Sequence, residues 1–409
     1  MKSELVKLPT PQDDTDFSHR ALLWLVTGGM MLQPLATDLY QASMPHLVTY
    51  FQTTLGAVQQ TLTLFVLGFG SAQLISGPLS DRFGRRPTVL WGIAIFVGAS
   101  IACALAPTLH WLVLARFIQA VGCCTGAVVT RAMVRDVYSP AEGAKVLARA
   151  SSLFALTPIL GPILGSYLQV QFGWRAAFVA HAAYGLLLFL AARHWLRETN
   201  VRLDSKATGG SRLLKNYGEV MVSPRFWAYG LPGALSYGSI FVFISGASHV
   251  LIRVLLVPTE YFGYCFAIGV VGYLSGTLIC RYLLSRFGLV RTLGLGTLAS
   301  AGGGLLFFML TAMGQTHWAI FVVCMGGIML AHGINFPCAL AGAVAPFPEK
   351  AGAAAGLFGF FIMMTALLVG VWVATSQDGT VLPLAATSLC MGLAVFLSAR
   401  ALVRYRPVQ

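Results

Sequence analysis

One acidic residue, Asp38, lies well inside a long apolar run of the sequence, whereas Glu260 and Asp378 lie at the borders of such runs. Arg116 lies inside another apolar run, three residues before Gln119. Ionisable side chains are costly inside a membrane, and those that occur there usually serve a function. Burial and a nearby arginine act in opposite directions on a carboxyl group, so a group held between them can gain or lose a proton. Asp38 and Arg116 are therefore our candidates for proton coupling.

The overall composition indicates that these residues lie in a membrane protein. Of the 409 residues, 57% are hydrophobic and 10% are charged, whereas a soluble domain carries about 25% charged residues. A soluble fold could not bury this much apolar surface, because a single core stops growing near ~250–300 residues. The composition thus excludes a soluble enzyme, a disordered chain and a disulfide scaffold. The net charge of +13 does not indicate nucleic-acid binding, because the cations are scattered between apolar runs.

The apolar runs are continuous, which favours helices over the alternating strands of a membrane barrel. They predict twelve spans, at approximately residues 21–43, 57–78, 88–106, 110–130, 145–168, 175–193, 226–249, 260–281, 291–312, 317–340, 351–375 and 381–400.

A division into two halves follows from the longest polar stretch and from a repeat. Arg82-Phe83-Gly84 recurs as Arg286-Phe287-Gly288, at an offset of about half the chain. We therefore predict an all-α membrane protein of two pseudo-symmetric six-helix halves. The predicted divisions are an N-terminal tail, a first half, a central linker, a second half and a C-terminal tail, at residues 1–20, 21–193, 194–225, 226–400 and 401–409.

Signatures of catalysis and of cofactor binding are missing from the sequence, which has no GxxxxGK[ST], HExxH or GxSxG pattern. The eight cysteines form no CxxC pair, so we expect small buried hydrophobic residues and no metal site. Without a nucleotide site, any uphill transport must draw on an ion gradient or on a partner. We expect no cofactor, and a proton gradient as the energy source.

The loop after the second span reads Gly77-Pro78-Leu79-Ser80-Asp81-Arg82-Phe83-Gly84-Arg85-Arg86-Pro87. It resembles the GxLxDRxGRR signature of the major facilitator superfamily, whose two six-helix halves rock about a central site. The resemblance implies a role in conformational change for a set of motif residues: Gly77, Asp81, Arg82, Gly84, Arg85 and Arg86. In the fourth span Arg116, Gln119 and Gly122 resemble the RxxQxxG element of the same family.

Span 5 resembles the GxxxGPxxGG signature of antiporters in this family through Gly161, Pro162 and Gly165, while Thr157 and Ser166 replace two of its glycines. Three further runs resemble the bicyclomycin and chloramphenicol resistance (Bcr/CflA) subgroup of drug:proton antiporters: Asp38-x-Tyr40…Met44-Pro45, Arg131-x-x-x-Arg135-Asp136-Val137-Tyr138 and Gly173-Trp174-Arg175-x-x-Phe178.

The resemblance implies an inner-membrane transporter, expected to be monomeric, that exports lipophilic antibiotic-like compounds in exchange for protons and does not bind nucleic acid. The candidate substrate-binding residues combine polar and aromatic side chains that suit flat lipophilic ligands. They are Tyr40, Gln119, Tyr237, Phe241, Asn335 and Phe361. His332 precedes Asn335 by one turn and is expected to join a polar patch.

Three other classes of function remain as alternatives. Proton-coupled movement of a sugar, nucleobase or amino-acid derivative is the nearest, although a sugar site would need more intramembrane polar groups. A membrane sensor would bring a soluble signalling domain, and a membrane enzyme would need a polar catalytic cluster.

The distribution of Lys and Arg predicts that both termini and the 194–225 linker are cytoplasmic. With that orientation the cytoplasmic segments hold 24 cations and the outside segments hold two, Arg175 and Arg253. Reporter fusions at Arg212 should therefore report a cytoplasmic location. A periplasmic signal there would contradict this topology, because the cation bias would then be inverted.

Overall fold

The computed structural model describes residues 19–200 and 203–405. Within these ranges the chain forms fourteen α-helices and no β-strand. The helices are α1 His19–Gln41, α2 Met44–Tyr50, α3 Leu55–Phe83, α4 Arg85–Ala104, α5 Leu109–Val137, α6 Pro140–Phe154, α7 Thr157–Phe172, α8 Arg175–Trp195, α9 Gly210–Met221, α10 Pro224–His249, α11 Thr259–Ala312, α12 Trp318–Val344, α13 Ala351–Ser376 and α14 Leu382–Ala401.

The twelve predicted spans all have a helical counterpart. Nine helical stretches in the described part of the chain are long and apolar enough to cross a membrane, and these contain α3, α4, α5, α8 and α10–α14. The 54 residues of α11 contain two of the predicted spans, separated where Gly288 has φ 71°. The other two spans correspond to α1 and to the pair α6 and α7. The bundle is therefore the predicted arrangement of twelve crossings.

The span predicted at 145–168 as one kinked helix is two helices, and this prediction needs correction. α6 ends at Phe154 and α7 begins at Thr157. Pro158 has no N–H to donate to the carbonyl of Phe154, four residues before it, so the helical hydrogen-bond ladder is interrupted there. The helix therefore breaks at 155–156.

A second difference lies in the linker, which was predicted only as a polar connection. It contains α9, whose Tyr217 hydroxyl donates to the carbonyl of Leu74 on α3 at 2.8 Å. On the same helix Glu219 forms an ion pair with Lys350, which directly precedes α13. The linker helix thus contacts helices of both halves.

The predicted repeat is visible in the backbone. Gly84 separates α3 from α4 with φ 100°, and Gly288 interrupts α11 with φ 71°. These are left-handed values that glycine adopts at little cost and other residues rarely adopt. In both turns the preceding arginine lies over the ring of the phenylalanine that follows it, at 5.1 Å from Phe83 and 5.7 Å from Phe287. The two turns therefore have the same backbone conformation and the same arginine–phenylalanine contact.

The two halves, α1–α8 and α10–α14, meet along two helix pairs, α3 with α13 and α7 with α11. We call the end that carries the turns at Gly84 and Gly288 together with α9 the linker end. The end that carries α2 and the 255–258 turn is the far end.

Hydrogen bonds join the two halves at the far end. Arg253 donates to the carbonyl of Pro45 at 3.1 Å, and the His46 Nε2 atom lies 3.1 Å from the Thr259 hydroxyl. Inside this contact Gln59 of α3 donates to the backbone of α10 at 3.0 Å. In the part of the chain that the structure describes, α5 and α6 make no extensive contact with α12 or α13 at the linker end. The far end is therefore the end held closed.

Closure of the far end should weaken in acid. Burial, and then the neighbouring Arg253, lower the pKa of His46 below its ordinary value. In an opened far end His46 would regain a pKa of about 6.5. The open form then binds protons more tightly, so closure is fully favoured above about pH 6.5 and is lost progressively below it.

The measurement is the distance between spin labels at the exposed positions His110 and Gln315, with the exposed Cys390 replaced by serine. The distance distribution should shift to longer values as the pH falls from 7.5 to 5. His46→Gln keeps a neutral hydrogen-bonding side chain and should reduce this shift. The same pH response in both proteins would show that His46 does not control closure.

Candidate functional site

Asp38 lies near the far end of α1 with 6% of its surface exposed, and it is the only buried acidic residue among those that the structure describes. Its Oδ1 atom accepts hydrogen bonds from the Thr37 hydroxyl at 2.9 Å and from the Gln41 amide at 3.1 Å. Both donors are neutral. An ionised Asp38 would therefore be solvated by dipoles alone at this site.

The antiporter-like segment of α7 packs directly against Asp38. A Cβ atom on Gly161 would lie 2.9 Å from the Asp38 Cβ atom, and one on Gly165 would overlap the carbonyl of Leu39. Pro162 lies between these glycines, inside the helix. The absence of two side chains is therefore what lets α7 approach the carboxyl group so closely. The structure thus brings together two features that the sequence presented separately.

Ser166, which replaces a motif glycine, joins α7 to the second half. Its hydroxyl donates to the carbonyl of Pro162 at 2.8 Å and accepts the N–H of Gly263 on α11 at 3.0 Å. The departure from the family pattern therefore supplies a hydrogen bond between the halves.

Arg116 is fully buried and does not form an ion pair with Asp38. Its guanidinium donates to the carbonyl of Ala36 at 3.0 Å and to Gln119 Oε1 at 2.6 Å, and it lies 4.2 Å from the centre of the Phe65 ring. The bond to Ala36 places the guanidinium two residues along α1 from Asp38. Any influence of Arg116 on Asp38 therefore acts through the position of α1.

Two predicted substrate-binding residues lie inside the first half. Tyr40 hydrogen-bonds the Thr61 hydroxyl at 2.7 Å, and Gln119 donates to the Ser100 hydroxyl at 2.7 Å. Both side chains are fully buried. In this conformation they stabilise the packing of α1, α3, α4 and α5, and their contact with substrate stays a prediction.

Three side chains of the second half form a polar and aromatic cluster with His332. The Tyr237 ring lies 6.3 Å from that of Phe241 and 5.9 Å from His332. The Ser236 hydroxyl lies 3.0 Å from His332 Nδ1 and accepts from the Asn335 amide at 3.3 Å. His332 therefore joins the predicted polar patch, through a serine that sequence reasoning did not identify.

Tyr237 connects this cluster to the first half. It lies close to Asp38 and Gln33, both on α1. The predicted coupling and substrate residues thus approach each other where α1 faces α10.

Phe361 does not join the cluster. Its ring packs on Trp227 at 4.6 Å, near the start of α10 and towards the linker end. Sequence alone could not separate it from the other aromatic residues, because helical spacing does not reveal which face of α13 meets which helix.

The motif turn at the linker end is organised by Arg85, a residue that is 8% exposed. The Arg85 guanidinium donates to Asp81 at 2.5 Å, to Ser80 at 2.6 Å and to Asp136 at 2.8 Å. Asp81 therefore forms an ion pair with an arginine of its own loop. Asp136 belongs to the subgroup-like run at the end of α5, but its spacing gave no sign of this partner.

Glu198 of the linker was missed by sequence reasoning. Its carboxylate accepts the backbone N–H groups of Arg85 at 2.8 Å and Arg86 at 3.1 Å, at the start of α4. An anion at a helix N-terminus is favourable because of the unpaired N–H groups and the helix dipole. A Cβ atom on Gly84 would collide with this carboxylate.

The remaining motif residues have separate roles. Arg82 donates to Thr208 of the linker at 2.5 Å, and the Arg86 side chain donates to the carbonyl of Leu196 at 2.7 Å. The carbonyl of Gly77 accepts the Ser80 hydroxyl at 2.8 Å within α3. The three arginines of the motif therefore hydrogen-bond the linker and hold it against the first half.

No cluster of three His, Cys, Asp or Glu side chains that could hold a metal ion occurs among the described residues.

Comparison with known proteins decides the family. A family model described as Major Facilitator Superfamily matches residues 26–371. The chain belongs to this superfamily. A bicyclomycin resistance protein homolog of Haemophilus influenzae is 26% identical, over 92% of this chain and 94% of the homolog. A chloramphenicol resistance protein of Pseudomonas aeruginosa is 31% identical, over 71% of this chain and 68% of that protein.

The fold is also that of a superfamily member. The crystal structure of a D-xylose–proton symporter superposes with a TM-score of 0.75 and covers 95% of this chain and 98% of the symporter, at 15% identity. At that identity the likeness shows the fold alone. The superfamily and fold predicted from sequence are confirmed, and the chain is a membrane-spanning secondary transporter and not an enzyme.

Replacing Arg85 with alanine should slow transport more than it weakens ligand binding. The change removes the cation that holds Asp81 and Asp136 together, at the opposite end of the bundle from Asp38. Hydrogen bonds to charged groups contribute ~2 kcal/mol, so a loss of this size in the unfolding free energy is also expected.

Ligand affinity and transport rate should be measured on the same purified protein. Arg286→Ala is the matched control, because Arg286 occupies the equivalent turn and hydrogen-bonds Tyr282. This control should keep the parental rate. A large loss of affinity with unchanged turnover in the Arg85 variant would place the turn in the substrate site instead.

Proposed function

We propose that this transporter exports lipophilic, antibiotic-like compounds in exchange for protons, with Asp38 as the proton-carrying group. The observation that carries the proposal is the setting of Asp38, a buried carboxyl group with neutral hydrogen-bond donors, packed against Gly161. Such a group is costly when charged and inexpensive when neutral. The names of the curated relatives support drugs over metabolites.

The orientation proposed for this cycle places the linker end in the cytoplasm. The turn at Gly84 and the 193–225 segment carry ten of the Lys and Arg residues, and positive residues favour the cytoplasmic side. The closed far end then faces the outside of a bacterial inner membrane. In this conformation the transporter would receive its substrate from the cytoplasm.

Coupling requires that the protonated and deprotonated forms of Asp38 differ in their affinity for substrate. On the cytoplasmic side Asp38 releases its proton, and the site binds substrate. After the halves rock, Asp38 takes a proton from outside, and substrate leaves. In this cycle Tyr237 is the residue of the second half that responds to the change of charge on Asp38, because it lies close to Asp38 across the interface.

The binding surface proposed for the substrate lies on α10 and α12, beside Asp38. Tyr237, Phe241 and His332 supply ring faces, and Asn335 supplies an amide. Rings with few polar groups suit flat lipophilic molecules that offer one or two hydrogen bonds. A monomer is sufficient for this mechanism, because both halves belong to one chain.

Neutralising Asp38 should abolish transport driven by a pH gradient. Asp38→Asn keeps the shape of the side chain and removes its titration, so residual ligand binding should no longer depend on pH. The variant should insert normally, because burying an amide costs less than burying a charge. The measurement is efflux of chloramphenicol from proteoliposomes with an imposed pH gradient.

Glu260→Gln is the matched control, since Glu260 is an exposed carboxylate at the far end and its neutralisation should leave the rate unchanged. A susceptibility panel in a pump-deficient host, with the Asn variant as the inactive reference, would extend the test to other antibiotics. If the Asn variant accumulates normally and pumps at the parental rate, Asp38 is not the proton carrier.

A further inference from the structure

A basic groove of about 610 Å³ lies at the linker end, between the motif turn and α9. We call it the linker groove. It is lined by four cations, and hydroxyl groups stand between them. The residues that matter are Arg82, Lys206, Thr208, Ser211, Arg212 and Lys215.

The positive charge of the groove is only partly compensated. Arg212 forms an ion pair with Asp204 at 2.5 Å, and Arg82 hydrogen-bonds Thr208. Among the residues that the structure describes, Arg82, Lys206 and Lys215 form no ion pair. The groove also borders the first turn of α9, where unpaired N–H groups and the helix dipole add positive potential. Cations, hydroxyls and a helix N-terminus together are the groups that bind phosphate.

The neighbouring surface indicates where the phosphate comes from. Leu214 and Val222 are 75% and 83% exposed, and both belong to α9 or directly follow it. Tyr217 of the same helix reaches Leu74, which lies about 14 Å from the end of α3 at 1.5 Å per residue. α9 therefore packs against the membrane-spanning helices with an apolar side uncovered. A helix with one apolar and one basic side in this position is typical of the membrane interface.

We propose that the linker groove binds the phosphate group of an anionic phospholipid in the leaflet at the linker end. The cations contact the headgroup, while Leu214 and Val222 contact the acyl chains beside it. Basic segments next to membrane helices attract anionic lipids in this way. Because α9 also contacts α3 and Lys350, the bound lipid holds the linker helix against both halves.

The test titrates phosphatidylglycerol into the purified full-length protein in neutral detergent and follows the unfolding temperature. The parent protein should show a saturable rise. In the double variant Lys206→Gln/Lys215→Gln the same rise should need roughly 30-fold more lipid, because each cation near an anionic lipid contributes a factor of about five. Both side chains are exposed, so each protein is compared with its own lipid-free baseline.

A second double variant, Arg286→Gln/Arg291→Gln, removes two exposed cations from the equivalent turn of the second half and should respond like the parent. An unaltered response of the Lys206/Lys215 variant would overturn the assignment of the groove. An equal response to phosphatidylcholine would overturn the role of the anionic headgroup. If inorganic phosphate produces the same rise at the same concentration, the site binds free phosphate and the lipid assignment is wrong.

Discussion

The burial of one carboxyl group without a cation is the constraint on which the arrangement of the first half depends. Asp38 is held by two neutral donors on its own helix, so the surrounding helices must fix α1 by other means. They do so through its backbone. His181 of α8 lies 3.0 Å from the carbonyl of Leu35, and Arg116 of α5 donates to that of Ala36.

Arg116 and His181 thus bind the backbone of α1 two and three residues before Asp38. The carboxyl group itself has no ion pair with a cation. A direct ion pair with Arg116 would have stabilised the charged form of Asp38 and opposed proton binding. By bonding a carbonyl instead, Arg116 fixes the position of the helix and not the charge of the acid. A carboxyl group in this setting is inexpensive to bury when it is neutral, and the proposed coupling role requires this property.

The two halves share a backbone design but differ in charge. The turns at Gly84 and Gly288 have the same left-handed glycine and the same arginine–phenylalanine contact. Where the first turn has Asp81, the second has Ser285, whose hydroxyl donates to its own helix at 2.8 Å. Among the residues that the structure describes, only the first turn binds the linker through a network of acids. The two halves therefore have the same turn backbone at the linker end. They differ in charge, because the first turn has an ion pair where the second has a serine.

The sequence predicted the helices better than their partners. The span at 175–193 is α8, Arg175–Trp195, and the span at 317–340 is α12, because an apolar run of membrane length determines a helix locally. The break between α6 and α7 was missed, because a proline in a membrane helix can either kink the helix or end it. The pairing of Arg85 with Asp136 was also missed, since Asp136 is 51 residues away in sequence and no periodicity relates the two positions.

The same limit applied to the site. Asp38 was identifiable, because a lone acid in an apolar run stands out in any sequence. The packing of Gly161 against Asp38 could not be predicted from the sequence, since this contact depends on how α7 crosses α1. Once this contact is known, α7 acquires a mechanical role. One side of α7 touches the carboxyl group, and Ser166 on the same helix bonds the backbone of Gly263 on α11.

Movement of α1 that accompanies a change of charge on Asp38 must therefore displace α7, because there is no free space at Gly161 to absorb it. Packed interfaces shift between discrete arrangements and do not deform continuously. The hydrogen bond at Ser166 then carries the displacement to α11, and so into the second half. In this chain the residue that departs from the antiporter pattern is the one that joins the helix packed on Asp38, the proposed proton carrier, to the opposite bundle.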